Sequence, residues 1–258
     1  MRHSFIDEHS AILSPVHGLE PRAKIVVLFA LILVCVTTPP EGFVCFAGCL
    51  AFLAVLLAAS LVPPGHMLKR SLWAVPFALA VSIFLPFMKS DGPGGGWSLG
   101  VGALHISRTG LTVFLSILLK AWTAALATAV LTSTTPFPDL MRGLERLRVP
   151  RVFLMLASFT YRYLFVLVDE AERMERARDS RGWSGRWLWE ARAVGQMIAM
   201  LFLRSYERAE RVYAAMLSRG FDGRAVTAGD TALRARDWAF ITGSLLLLIF
   251  LRWTVPHG

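Results

Sequence analysis

Two stretches of this chain carry the same residue types in the same register. AERMERARDSRGW runs from Ala171 to Trp183, and AERVYAAMLSRGF, offset by 38 residues, runs from Ala209 to Phe221. Each holds Ala-Glu-Arg, a later Ala, then Ser-Arg-Gly and a closing aromatic. On a helix Arg173, Ala177 and Arg181 fall at i, i+4 and i+8, as do Arg211, Ala215 and Arg219, so each set forms one narrow stripe. A small alanine between two arginines lets another backbone come close. Gly182 and Gly220 follow the last arginine and suit the left-handed conformation that ends a helix. The final arginine then projects from the helix tip, where the C-terminal dipole favours a cation. Trp183 and Phe221 add an apolar anchor beside it. Arginine with an aromatic at a tip is the chemistry of an interface hot spot. Two copies in one register predict twin docking tips read by two similar partners.

Other residues that could do chemistry form no such pattern. The only lysines are Lys24, Lys69, Lys89 and Lys120, and none follows a glycine, so there is no Gly-Lys-Ser/Thr phosphate loop. FDGRA (221–225) opens like the Asp-Gly signature of membrane phosphatidyltransferases but lacks the later aspartates at helical spacing. His3, His9, His17, His66, His105 and His257 are scattered without metal-site spacing, and His3 and His9 near Asp7 read as part of a polar terminus. Cys45 and Cys49 share a helix face and with Cys35 lie in apolar runs; they read as small packed residues rather than soft-metal ligands. No catalytic residue, metal site or cofactor is predicted.

The elements that must carry the tips are helices beside a membrane. The chain is 55% hydrophobic with a net charge of +9, and its mean hydropathy is +0.54. That excess over a soluble domain belongs in lipid. The basic residues flank apolar runs, which points to cytoplasmic loops and excludes nucleic acid as the partner. The N-terminus has polar and acidic residues before any apolar stretch and does not read as a cleaved signal peptide. Five apolar stretches approach spanning length: 25–38, 43–62, 72–88, 110–134 and 238–255. PPEG (39–42) and PPGHMLKRS (63–71) read as turns, and residues 89–108 as a glycine-rich loop. Arg2, Arg22 and Lys24, then Lys69 and Arg70, then the eighteen arginines between Asp139 and Arg236 all fall on one side of this arrangement. The positive-inside rule makes that side cytoplasmic and puts the C-terminus outside. Lys120, mid-way along the fourth stretch, is expected to face the bundle interior.

The segment from Pro150 to Glu170 is apolar enough for a sixth span, but Arg162 sits at its middle, where an ionised side chain is expensive. The segment 194–204 is too short to return. Both are therefore read as parts of long helices, Pro150–Arg181 and about Leu188–Arg219, lying at or under the membrane. Ahead of them, 135–150 puts Leu140, Leu144 and Leu147 on one face of a short amphipathic helix.

These residues resemble the T component of energy-coupling factor (ECF) transporters, in particular the cobalt-type, CbiQ-like branch. SPVHGLEPRAK (14–24) is similar to that branch's N-terminal signature, TPFPDLMRGLERLRVP (135–150) to its first coupling helix, and the two Ala-x3-Arg-Gly segments to its coupling motifs. The resemblance implies that Ala177, Arg181 and Gly182 dock one cytoplasmic ABC-type ATPase subunit, and Ala215, Arg219 and Gly220 a second. It implies a substrate-capturing S component held in the membrane, moved when the ATPases close, with cobalt or nickel as the cargo expected for the branch. The metal would be bound by the S component.

The expectation is thus an all-α integral membrane protein of the cytoplasmic membrane with about five transmembrane helices, plus a cytoplasmic module of one short and two long coupling helices. Its parts are a four-span N-terminal membrane domain (1–135), the coupling module (136–236) and a C-terminal transmembrane helix (237–258). The chain is not itself an enzyme in this reading. The rivals are a membrane enzyme of lipid head groups, which would need convergent acids on the span ends, and a scaffold that recruits partners without transport.

Overall fold

The computed structural model describes residues 18–61, 63–84, 96–98, 105–181, 187–223 and 234–254. The elements in order are α1 (Pro21–Thr37), α2 (Phe43–Ser60), α3 (Pro64–Leu72), α4 (Ala74–Ser82), β1 (Gly96–Ser98), β2 (His105–Ser107), α5 (Arg108–Thr134), α6 (Phe137–Arg146), α7 (Arg151–Asp179), α8 (Trp187–Ser218) and α9 (Ala235–Trp253). The chain divides into two compact units, one within 2–143 and 230–258, the other within 144–229.

In the first unit the 27-residue α5 is the central rod, and α1, α2, α3 and α4 all pack on it, while α9 packs on α1 and α2. Leu28, Leu31, Cys45, Cys49, Leu53, Leu56, Met67, Leu126, Ala127, Val130 and Leu248 form the core. All three cysteines are buried and free, as the packing reading requires. Around this core the outer faces are equally apolar: Phe29, Val44, Val55, Phe77, Leu246, Ile249 and Phe250 are all exposed. Helices apolar on both faces fit a lipid surround and not water. Gly48 lets α2 and α9 touch, since a Cβ there would sit 2.4 Å from Leu251. Lys120 is half-buried: its ammonium donates to the Val36 carbonyl (2.9 Å) and lies over the Phe46 ring.

Three described helices are long and apolar enough to cross a membrane: Phe43–Ser60, Thr109–Thr134 and Arg151–Asp179. The first two coincide with expected spans. The third is α7, in which Arg162 is exposed.

Three expectations need correction. Residues 63–71, read as a turn, are helix from Pro64 onward, because a proline is tolerated in the first helical turn, where its missing N–H would have had no partner. The third apolar stretch, 72–88, is accordingly preceded by α3 and continues as α4, with a break at Trp73. Pro76 explains the break: it cannot donate to the Leu72 carbonyl, and its ring crowds that oxygen. The segment 89–108 is not loop throughout; β1 and β2 pair antiparallel, with Trp97 opposite Ile106. The short amphipathic helix stops at Arg146, before Leu147. Arg148 takes a left-handed conformation (φ 64°), the Arg148 N–H donates to Glu145 (3.0 Å) and the Val149 N–H to Leu144 (3.2 Å), so the α6 carbonyls are capped by the turn itself.

At one end of the first unit two charged groups, Lys24 and Asp237, are sunk into the bundle and hydrogen-bonded there. Lys24 is 3% exposed; its ammonium donates to the Thr134 carbonyl (2.9 Å) and the Thr135 hydroxyl (3.3 Å). Asp237, also 3% exposed, accepts from the Glu20 N–H (3.1 Å) and the Arg234 N–H (3.0 Å). The start of α1, the end of α5 and the start of α9 therefore share one end of the bundle.

Candidate functional site

The two long helices expected from sequence form, within a residue or two of their anticipated ends. In the second unit α7 and α8 cross in opposite senses: Glu170 pairs with Arg204, and further along α7 the Arg178 guanidinium reaches Met197 (4.0 Å), earlier on α8. Arg173 also donates to Glu170 (2.6 Å). Hydrogen bonds from Arg173 and Arg204 hold the Glu170 carboxyl below the usual carboxylate range. A cleft of about 130 Å³ lies at the crossing, lined by Val166, Leu167, Leu201, Ser205 and Arg208 among others. Beyond the crossing each helix runs on to its C-terminus, roughly 15 Å along α7 and roughly 20 Å along α8 at 1.5 Å per residue. Because the senses are opposed, the two ends point away from one another.

At those ends the described residues of the two copies make the same hydrogen bonds. The Ser180 hydroxyl donates to the Ala177 carbonyl at 3.0 Å, and Ser218 to Ala215 at 3.0 Å. The Arg181 N–H donates to the Arg178 carbonyl at 3.1 Å, and Arg219 to Met216 at 3.1 Å. Every one of these pairs is related by the 38-residue offset. In the second copy the ending is visible in full: Gly220 has φ +79°, its N–H donates to Leu217 (3.0 Å), and the Phe221 N–H donates to Met216 (3.0 Å). That is the Schellman ending, which satisfies the last carbonyls of α8 and turns the chain off the axis. Gly182 and Trp183, the matching residues of the first copy, lie outside the described residues, as do the N-terminal histidines.

The six stripe residues, Arg173, Ala177, Arg181, Arg211, Ala215 and Arg219, are all exposed, and Phe221 is half-buried. The arginines are not equivalent. Arg173 pairs with Glu170, and Arg211 with Glu207 at 3.7 Å. Among the described residues, no ion pair or side-chain hydrogen bond engages Arg181 or Arg219. The stripe therefore has an inner arginine held by its own helix, an alanine, and an outer arginine whose five donors face outward.

Sequence reasoning anticipated the two long helices and where they end but missed two features. The Glu170–Arg204 link has no local signal, since its partners are 34 residues apart. The clamp at Lys24 and Asp237 had one: each charge directly abuts an apolar run, where it must find a partner or stay in water. Among the described residues no three His, Cys, Asp or Glu side chains are grouped to hold a metal ion.

A family model described as cobalt transport protein, CbiQ, matches residues 13–228. The chain belongs to that family. Its relatives include a protein named as a fused cobalt transport protein, CbiMQ, of Methanocorpusculum labreanum, 30% identical over 231 residues that cover 86% of this chain and 38% of the relative. The energy-coupling factor transporter transmembrane protein EcfT of Listeria innocua is 27% identical over 245 residues, 90% of this chain and 88% of that one. The cobalt transport protein CbiQ of Rhodobacter capsulatus is 30% identical over 191 residues, 73% and 72% of the two chains. This chain thus spans well under half of the fused relative but most of the other two. The CbiQ-family match and these relatives bear out the likeness to the ECF T component. The family is a membrane component of transporters, and with its apolar helices the chain is a membrane protein.

Proposed function

We propose that this chain is the coupling (T) subunit of an ECF-type ABC importer for cobalt or nickel ions. Arg181 and Arg219, each at the end of a long helix, dock into grooves on two cytoplasmic ATPase subunits. The bundle holds a membrane S component that captures the ion. ATP-driven closure of the ATPases moves α7 and α8, and that motion tilts or releases the S component with its cargo. The carrying observation is the repeat in three dimensions: the ends of two oppositely directed helices, the same serine-hydroxyl and arginine N–H bonds at each, and, among the described residues, an exposed arginine unengaged by its own helix at both. A two-fold ATPase pair offers two equivalent grooves, and one chain fills both only by presenting two similar tips. The relatives' names, which speak of cobalt transport and of energy-coupling factors, support the class of transporter and of cargo.

The membrane arrangement proposed with it has five spans: α1, α2, the stretch 72–88 that holds α4, α5 and α9. Residues 136–236 are cytoplasmic and the C-terminus is outside. The shared end of α1, α5 and α9 supports this, since five alternating spans with the N-terminus inside bring those three helix ends to the cytoplasmic face. The exposed Arg162 supports keeping α7 out of the hydrocarbon despite its length.

The test has two arms. Single cysteines at Ser184 and Gly94, in a chain lacking Cys35, Cys45 and Cys49, are expected to label from opposite sides of the membrane; labelling of both from one side, the outcome if α7 crosses, contradicts the topology. Reconstitution with the partner ATPases and S component is expected to give ATP-dependent cobalt(II) or nickel(II) uptake. ATPase recruitment without uptake of either ion points to a scaffold instead.

A further inference from the structure

The chain passes between its two units twice, once on leaving α5 through α6 and once on returning to α9. Both passages are fastened to the same short segment, residues 18–25. On the outgoing side Lys24 holds the Thr134 carbonyl and the Thr135 hydroxyl, the last residue of α5 and the next one. Immediately beyond, α6 meets the start of α1 at Gly143, where an added Cβ would come within 2.9 Å of Ile25, 3.1 Å of Pro21 and 3.4 Å of the Arg22 nitrogen. On the returning side Asp237 takes the Glu20 N–H, and Arg236 donates to the Gly18 carbonyl (2.6 Å). Asp139 and Asp237 supply negative charge near the buried ammonium. Everything from 144 to 233, both tips included, is strung between these two fastenings.

We propose that residues 18–25 are the anchor through which motion of the coupling helices is delivered to the membrane bundle, with Lys24 and Asp237 as its positioning residues. The proposal rests on the function argued above. The chemistry explains the residue types. A buried ammonium with three donors fixes an orphan helix-end carbonyl and a hydroxyl together, which no apolar side chain can do. A carboxylate with two oxygens holds the α9 start and the α1 start at once. With both passages on one anchor, movement of the helix pair shifts the start of α1, the end of α5 and the start of α9 as a body. With either fastening released, the helix pair swings without moving the bundle.

Two measurements test it. The first is hydrogen–deuterium exchange of the full chain in nanodiscs, which needs neither partner nor cargo. Asp237→Asn, which removes one acceptor, is expected to raise exchange at least fivefold around 20–25 and also across 137–143, on the passage it does not touch. A rise confined to 234–240 overturns the shared anchor. The second is cobalt(II) uptake per ATP hydrolysed in the reconstituted complex. Lys24→Met keeps the length and removes the donors; with ATPase recruitment intact, uptake per ATP is expected to fall at least tenfold, while Lys69→Met, an exposed lysine on α3, leaves it unchanged. If Lys24→Met does not insert, Thr135→Val, which removes one acceptor only, is expected to lower uptake per ATP about threefold. Unchanged uptake per ATP in these anchor variants overturns the proposal. If the wild-type complex takes up no metal, it is the proposed function that fails, and the exchange result still decides the anchor.

Discussion

The two tips share a backbone and differ in their flanks. At the first, Arg178 is drawn into ion pairs with Asp179 (2.9 Å) and Glu175 (3.4 Å), and Arg176 pairs with Glu172 (3.3 Å). At the second, the residues in register with Arg178 and Asp179 are Met216, half-buried, and Leu217, exposed. The first tip thus presents its arginine within a charged network and the second within an apolar edge. On the proposed function, the same hydrogen bonds in two surroundings give one docking mode with two strengths. Ion pairs among exposed side chains contribute little of their own, whereas an exposed leucine contributes once a partner covers it.

The largest expected effect comes from removing the outer arginines. Arg181→Ala and Arg219→Ala are each expected to weaken ATPase docking by about 2–5 kcal/mol, the range for breaking a desolvated charge pair. The first substitution is expected to cost more, because the second tip retains Leu217 and Phe221 as apolar contacts. The double variant should not recruit ATPase at all, and Arg192→Ala, exposed on α8 outside the motif, should bind as wild type. Binding measured by surface plasmon resonance checks the order. Equal losses from all three single variants would mean a general charge effect and erase the comparison.

Two glycines, Gly220 just beyond α8 and Gly195 within it, are expected to respond in opposite directions. Gly220→Ala forces a Cβ into a left-handed conformation and is expected to cost roughly 1–2 kcal/mol at the second tip alone. Gly195→Ala, in the helix interior with open space around its Cβ, is expected to stabilise α8 by up to about 1 kcal/mol. Thermal unfolding in detergent and ATPase binding together separate the two. Destabilisation of α8 by both substitutions would mean that the ending at Gly220 is not specially required.

The smallest effect is expected at the crossing that both tips share. Above the ordinary carboxylate range Glu170 is ionised and accepts from Arg173 and Arg204, so its lowered pKa adds to the stability of the crossed pair. That contribution disappears as pH falls through the lowered value. Glu170→Gln should therefore lower thermal stability slightly at pH 7 and make no difference at a pH where the carboxyl is protonated. An equal loss at both pH values would assign the effect to packing.

The tips were legible in the sequence because their determinants are local: the Ser-Arg-Gly ending, the i, i+4, i+8 stripe and the glycine at the left-handed position all lie within three turns of one helix. Pro150 marked the start of α7 for the same reason. The segment 63–71 was misread because the string PPG alone reads as a turn, whereas Pro64 opens a helix, and the break ahead of Pro76 was not anticipated. Leu147 was assigned to the face of α6 on periodicity, although a helix can end on a left-handed arginine with no glycine to announce it. The clamp could be suspected at Lys24 and Asp237 from a charge beside an apolar run. Its partners could not be named, because Glu20 and Asp237 are 217 residues apart and only the packing of α1, α5 and α9 joins them.

Native mass spectrometry of the detergent-solubilised complex tests the central claim most directly. Two tips on one chain predict a single copy of this chain with two ATPase subunits. They also predict that Arg181→Ala and Arg219→Ala each leave a one-to-one complex. One ATPase per wild-type chain, unchanged by either substitution, would contradict the reading of the repeat as a pair of docking sites.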